Sequence, residues 1–190
     1  DSMRANWFHT SYLLDKIQRP KGHAEKRKAN ISKQPLEYKW QPRFDGKSLT
    51  YGIDPKRRHP SGLKAAIIRE KGVNDDREMA YALYLAGFDV KDVHMTDLVS
   101  GREDLSEVNM IVFVGGFSNS DVLGSAKGWA GAFLYNPKAK AALDKFYERT
   151  DTLSLGVCNG CQLMMELGLV YRDIEMSKHP KMHHNGSGKF

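Results

Sequence analysis

The stretch Thr152-Leu-Ser-Leu-Gly-Val-Cys158-Asn-Gly-Cys161-Gln162 constrains the fold of this chain more than any other. Thr152 to Val157 is short, apolar and bounded by charge, so it reads as a buried strand. Asn159 to Leu167 reads as a helix, with Leu163 and Leu167 one turn apart. Cys158 falls on the corner between them. Gly156-x-Cys158-x-Gly160 is the cysteine form of the G-x-S-x-G nucleophile elbow. Glycines two before and two after allow strand and helix to pass close at a strained turn. Such a turn lifts the sulfur above the sheet and sets it at a helix N-terminus, where the dipole favours thiolate.

Two plainer readings stand beside the elbow. Cys158 can be a buried structural cysteine, since an unpaired Cys packs as a small hydrophobe. Cys158 and Cys161 can also form a C-x-x-C redox pair, which likewise sits where a strand enters a helix. Thioredoxin-type motifs favour Trp before the first Cys and Gly-Pro between the two. Here Val157 precedes and Asn159-Gly160 intervenes, so the flanking glycines favour the elbow.

With 190 residues, 41% of them hydrophobic, the chain can build one domain with a real core and an added arm. No run of 18 apolar residues is present, so no spanning helix is expected. The chain opens on Asp1 without a signal peptide, and we expect it to be a piece of something longer. Two cysteines three apart cannot staple distant segments, which favours a reducing, cytoplasmic setting. The net charge of +6 is uneven. Residues 1–60 hold 14 Lys and Arg against 6 Asp and Glu, while 61–190 hold 15 against 17. A basic arm of this kind can meet nucleic acid, but it lacks any reader motif and its aromatics are not spaced as a stacking platform. We therefore expect a solvated face, or a surface docked on an acidic partner.

Residues 1–61 read as a connector. Trp7 to Leu14 starts a short helix with Ser11 near its cap and Leu13, Leu14 and Ile17 inward. Pro20, Pro35, Pro42, Pro55 and Pro60 then punctuate a stretch poor in apolar residues, which we expect to run extended or to lie across a neighbouring surface. Trp7, Phe8, Tyr12, Trp40 and Phe44 would anchor it.

From residue 62 the texture changes. Ala65-Ala66-Ile67-Ile68 is a first strand. Asn74 or Asp75 caps a helix from Arg77 to Ala86, ended by Gly87. Phe88 to Met95 is a second strand, and Met110 to Val114, apolar on both faces, a central parallel one. Helices follow over 121–134 and Lys138 to Arg149, the latter presenting Ala139, Ala142, Leu143 and Phe146 on one face. The order β-α-β-β-α-α-β-α points to an α/β fold, a parallel sheet flanked by helices.

Ligands of such folds sit at the carboxyl ends of strands. One end carries Cys158. Another carries Val114-Gly115-Gly116-Phe117-Ser118. Paired glycines there form a tight turn, and they also let backbone amides approach a ligand. The Gly116 or Phe117 N–H, with the Asn159 N–H, would then hold an oxyanion formed at the cysteine.

Three motifs resemble one family. They are Arg69-Glu-Lys-Gly-Val-Asn74 with Arg77-Glu-Met-Ala80; Gly115-Gly-Phe-Ser118 with Asp121-Val-Leu-Gly124 and Gly128-Trp-Ala130; and Leu155-Gly-Val-Cys158-Asn-Gly-Cys-Gln162. Together they cover most of 63–170 and resemble the glutaminase domains of the phosphoribosylformylglycinamidine synthase family, which are class I amidotransferases. Residues 1–60 resemble more weakly the segment that joins synthetase and glutaminase in single-chain members. The resemblance implies that 62–190 is a glutaminase domain. It implies a catalytic Cys158 that splits L-glutamine through a γ-glutamyl thioester, with Gly115, Gly116, Phe117, Asn159 and Gln162 as the oxyanion and glutamine-binding surface and Cys161 as a bystander. It also implies that ammonia passes to a synthetase domain, where ATP and Mg²⁺ drive amidation of formylglycinamide ribonucleotide. No metal or cofactor is expected in the glutaminase domain itself, and neither nucleic acid nor membrane is an expected partner.

One departure stands out. The family's triad has a His base and an orienting Glu, and both are expected beyond Phe190. His179, His183 and His184 fall in a segment resembling the family's Pro-x-x…Asn-x-Ser…Phe border of the glutamine pocket, without a nearby acid. We therefore expect this stretch alone to be inactive. The alternative is a cysteine hydrolase or redox-sensing domain on a similar fold.

Overall fold

The computed structural model describes residues 2–33, 39, 45–124 and 126–183. Trp40, Phe44 and His184 lie outside these residues. The chain divides into two compact units, Asp1–Gly46 with His183–Phe190, and Lys47–Met182.

In the first unit, helix α1 (Ser2–Gln18) is followed by α2 (His23–Asn30). The segment therefore begins helical rather than extended. No Gly or Pro interrupts Ser2–Gln18, and the first breaker is Pro20. The helix starts well before Ser11, which is not its cap. Asp15 accepts from Arg19 Nε at 3.2 Å and from Arg27 at 2.7 Å, pinning α2 to α1, and Lys28 Nζ lies 4.3 Å from the centre of the Tyr12 ring. Leu13, Leu14 and Ile17, expected inward, are exposed, Ile17 by 85%. The eight residues of α2 cover too little of α1 to bury them.

The second unit is built on a parallel sheet in the order β2-β1-β3-β4. Its strands are β1 (Lys64–Arg69), β2 (Asp89–His94), β3 (Met110–Phe113) and β4 (Leu153–Gly156). Apolar residues on both faces put β1 and β3 in the middle. Ala65, Ile67, Val112 and Val114 point to one face, under Leu83 of α3 (Asp76–Leu85). Ala66, Ile68, Ile111 and Phe113 point to the other. There α5 (Lys127–Leu134) brings Trp129 and Phe133 edge-on to Phe113, each ring centre 6.0 Å away. Helix α6 (Pro137–Glu148) starts with Pro at its first turn behind an Asn136 cap, and it buries Ala139, Ala142, Leu143 and Phe146 as its periodicity required.

Three features depart from expectation. Between β2 and β3 lies α4 (Met95–Ser100), absent from the sequence reading. Its start is fixed by a capping box in which Thr96 N–H donates to the His94 ring at 3.2 Å and His94 N–H donates to Asp97 at 3.0 Å. Second, residues 121–124 and 126, expected to be helical, do not extend α5. Asn119, Ser120, Asp121 and Ala126 all have positive φ, and the helix begins only at Lys127. Third, β4 is the edge of the described sheet. Leu153 (66% exposed) and Leu155 (40%) pair in register with Met110 and Val112 on the α3 face, but α3 does not reach them.

Residues 47–61 fold with this sheet unit, although the composition break lies at 61/62. Arg57 holds them there. Its guanidinium donates to Asp89 Oδ1 at 2.9 Å and to the Phe88 carbonyl at 2.6 Å, and Asp89 accepts from the Ser61 and Gly62 amides at 2.9 Å. These donors, Ser61 first, then Arg57 and Gly62, pull the Asp89 carboxyl down to about 2.

Candidate active site

Cys158 caps helix α7 (Asn159–Glu166) with φ 52° and ψ −111°, a positive-φ conformation that costs a non-glycine residue of order 1–3 kcal/mol. The strain is held by the packing of strand on helix. Val157 N–H donates to Phe113 O at 3.0 Å, tying the end of β4 to β3. A Cβ on Gly156 would lie 2.6 Å from Gly160 O, and one on Gly160 would lie 1.9 Å from Phe113 O. Both glycines of the motif are therefore required by contact. The thiol is exposed, as is that of Cys161, and neither is in a disulfide. Packing inside hydrocarbon is excluded for Cys158.

The double-glycine loop stands directly against it. A Cβ added to Gly115 would meet Cys158 Cβ at 3.2 Å. The loop is fastened to the end of β1 by a two-bond ladder, Asn74 N–H to Gly115 O at 3.1 Å and Phe117 N–H to Gly72 O at 2.9 Å. Val73 and Gly116 form the bridge between these bonds. Gly116, at φ 121°, has no room for a side chain, since a Cβ would fall 2.6 Å from Val73 Cα. The ladder narrows the donor set. The Phe117 amide is engaged with Gly72, whereas the Gly116 amide, in the bridge position, faces away from residues 72–74. The Phe117 side chain is largely exposed.

Asn159 joins loop to elbow. Its side chain is buried (2% exposed); Oδ1 accepts from Ser118 N–H at 3.1 Å, and Nδ2 donates to Gln162 Oε1 at 2.9 Å. Gln162 is thus placed to orient Asn159. The backbone N–H of Asn159, at the first position of α7, has no carbonyl of its own helix to reach.

Three structural roles were missed from sequence. Gly72 places the turn after β1, and a Cβ there would be 2.2 Å from Phe117 O. A glycine three residues past a central strand was the available signal. The bridging Asn159 side chain gave none, because its partner is 41 residues away. Asp75 was read only as a cap, yet it makes no side-chain cap bond, and its Oδ2 lies 3.2 Å from the position of a Gly115 Cβ. His179 is committed elsewhere, its Nε2 being 2.9 Å from Ile174 O. His183 is counted with the first unit. Among the described residues, no three metal-ligating side chains cluster.

A strained cysteine between a parallel strand and a helix, standing against the glycine loop of the neighbouring strand, has the geometry of a nucleophile elbow on an α/β fold. Residues 62–190 match the family model of the CobB/CobQ-like glutamine amidotransferase domain, and the chain belongs to that family. Over 97% of its length it is 44% identical to the phosphoribosylformylglycinamidine synthase of Dictyostelium discoideum, and over 90% it is 47% identical to that of Homo sapiens. The chain spans 14% and 12% of the length of these relatives. Among solved structures, that of PurLQS from Thermotoga maritima aligns with TM-score 0.47 and 27% identity over 57% of this chain and 46% of that one.

Proposed function

We propose that this chain is the glutamine-splitting part of a phosphoribosylformylglycinamidine synthase, acting in purine biosynthesis. The observation that carries the reading is the 3.2 Å approach of Cys158 Cβ to the open face of Gly115. The Cys158 sulfur attacks the γ-carbonyl of glutamine and forms a C–S bond. The carbonyl oxygen takes up negative charge, which the Gly116 and Asn159 amides of this reading would accept as hydrogen-bond donors. Collapse breaks the C–N bond, and the thiol proton leaves with the nitrogen as ammonia. Water then cleaves the thioester to glutamate. The family pattern assigns the proton relay to a His and a Glu, and no described residue is given that role here.

In this reading the ammonia is used by a synthetase part of the same enzyme to amidate formylglycinamide ribonucleotide. The ATP and Mg²⁺ for that step are held outside this chain. Residues 1–61 connect the two parts, and 62–190 form the glutaminase domain. Two free thiols fit a reducing compartment such as the cytoplasm, and no described helix is long and apolar enough to cross a membrane.

The test is glutamine-dependent ammonia release by the full-length protein, together with alkylation of Cys158 in the presence and absence of glutamine. Cys158→Ala is expected to abolish glutamine-dependent turnover while leaving turnover with ammonium salts. Cys161→Ser is expected to keep both. Alkylation of Cys158 that glutamine does not slow would refute the reading.

A further inference from the structure

We infer that Asp75 is the receptor for the α-ammonium group of the substrate, and so restricts the elbow to amino-acid amides. The inference rests on the glutaminase reading above. Asp at a helix N-cap ordinarily accepts from the amides of the first turn. Asp75 occupies that position on α3 and does not do so. Its side chain turns over Gly115 instead, with Oδ2 3.2 Å and Cβ 3.6 Å from the point where a Gly115 side chain would begin. Cys158 Cβ stands 3.2 Å from the same point. Carboxylate oxygen and nucleophile Cβ are therefore separated by no more than twice that distance, both against the side-chain-free face of Gly115.

The neighbouring acid behaves differently. Asp76 lies in the first turn of α3 and adds to the field that holds the proton on Arg69. Asp75 is half-buried and, among the described residues, has no hydrogen-bond or ion-pair partner for its carboxylate.

An uncompensated carboxylate beside a cysteine nucleophile opposes the chemistry, because it repels both the thiolate and the oxyanion. A cation delivered by the substrate removes that opposition. In glutamine the ammonium nitrogen lies about 5 Å from the carbonyl carbon under attack, over four staggered bonds. The sulfur must approach that carbon to about 3–3.5 Å. A glutamine arched over the bare face of Gly115 would set its ammonium on Asp75 and its amide carbon at Cys158. A simple amide would leave the carboxylate unpaired and the site repulsive. Asp75 is thus a specificity-determining residue and makes no contact with the reacting bond.

The test compares two alkylating probes on the full-length protein. One is the chloroketone analogue of glutamine, which carries the α-ammonium; the other is iodoacetamide, which does not. In each the Cys158 sulfur forms a C–S bond and a halide ion leaves. Asp75→Asn is expected to slow the chloroketone roughly 10- to 100-fold, the effect of losing a charged hydrogen bond. Iodoacetamide, which brings no cation to the carboxylate, should react no slower, since loss of the charge lifts its repulsion of the thiolate. Asp75→Glu, which keeps the charge, should recover part of the loss. An unchanged chloroketone rate in Asp75→Asn, or equal slowing of both probes, would overturn the inference. Failure of glutamine to protect wild-type Cys158 would instead remove the glutaminase reading, so the two failures are told apart.

Discussion

Replacing Gly160 with Ala tests the elbow by a change that helix propensity alone would welcome. Alanine is about 1 kcal/mol better than glycine inside a helix. At Gly160, however, the new methyl would sit 1.9 Å from Phe113 O, 2.4 Å from Phe113 C and 2.8 Å from Phe113 Cβ. Two of these atoms are backbone of β3, which is paired on both sides. Reaching an ordinary contact near 3.4 Å requires α7 to move by about 1.5 Å. Overpacking of this severity costs about 2–4 kcal/mol, which outweighs the propensity gain. The same shift would carry Cys158 away from Gly115 and its loop, and a 1 Å misplacement can cost ~100-fold in rate. Gly131→Ala is the matched control. It also lies inside a helix, but its methyl would meet only Tyr135 Cδ2 at 3.7 Å. Urea unfolding and the rate of Cys158 alkylation by the chloroketone are the readouts. Gly160→Ala should lower the midpoint and slow labelling, while Gly131→Ala should hold or raise the midpoint. A Gly160→Ala protein as stable and as reactive as wild type would refute the steric argument.

Asn159→Ala should cost about 1–3 kcal/mol, because the buried Ser118 N–H loses its acceptor; Asn159→Asp, which keeps an acceptor there, should recover part of it in the same urea titration. The depressed Asp89 carboxyl contributes stability that is present above pH ~4 and is lost as pH falls through its folded value of about 2. Asp89→Asn should therefore lower the unfolding midpoint at pH 7 and flatten the acid limb between those values, and an unchanged limb would count against the clasp. Asn136→Ala removes the acceptor for the Lys138 and Ala139 amides and should cost ~1 kcal/mol by thermal or urea unfolding.

What was legible from sequence follows the range of the forces involved. Met110 to Phe113 could be read as a central strand because both of its faces are apolar, and α6 because its period, its Pro and its Asn cap agree. Helix α4 was missed since six residues carry too little periodicity, although parallel pairing of β1 with both β2 and β3 demands a crossover between them. The positive-φ run at Asn119 to Asp121 contains no glycine to announce it. It packs the Asn119 side chain against the start of α5, where a Cβ on Gly128 would lie 3.1 Å from it. The expected burial of β4 failed for a related reason, as burial of Leu153 and Leu155 depends on what lies beyond the described edge rather than on the strand's own residues.

The site divides along the same line. Gly156 and Gly160 are local permissions, written four residues apart because only a bare backbone lets β4 meet α7. The conformation they permit is held from inside and outside. Gly160 N–H donates to Val157 O at 2.8 Å and closes the turn over Cys158, while from outside Phe113 O receives Val157 N–H from the neighbouring strand and Asn159 receives Ser118 N–H from the loop beyond it. Both outside restraints come from β3 and its glycine loop, the same segment that presents the Gly116 amide. In the proposed glutaminase, strain at the nucleophile and the placing of its oxyanion donor would therefore be one structural event, and changes that loosen the loop should relax the cysteine and disperse the donors together.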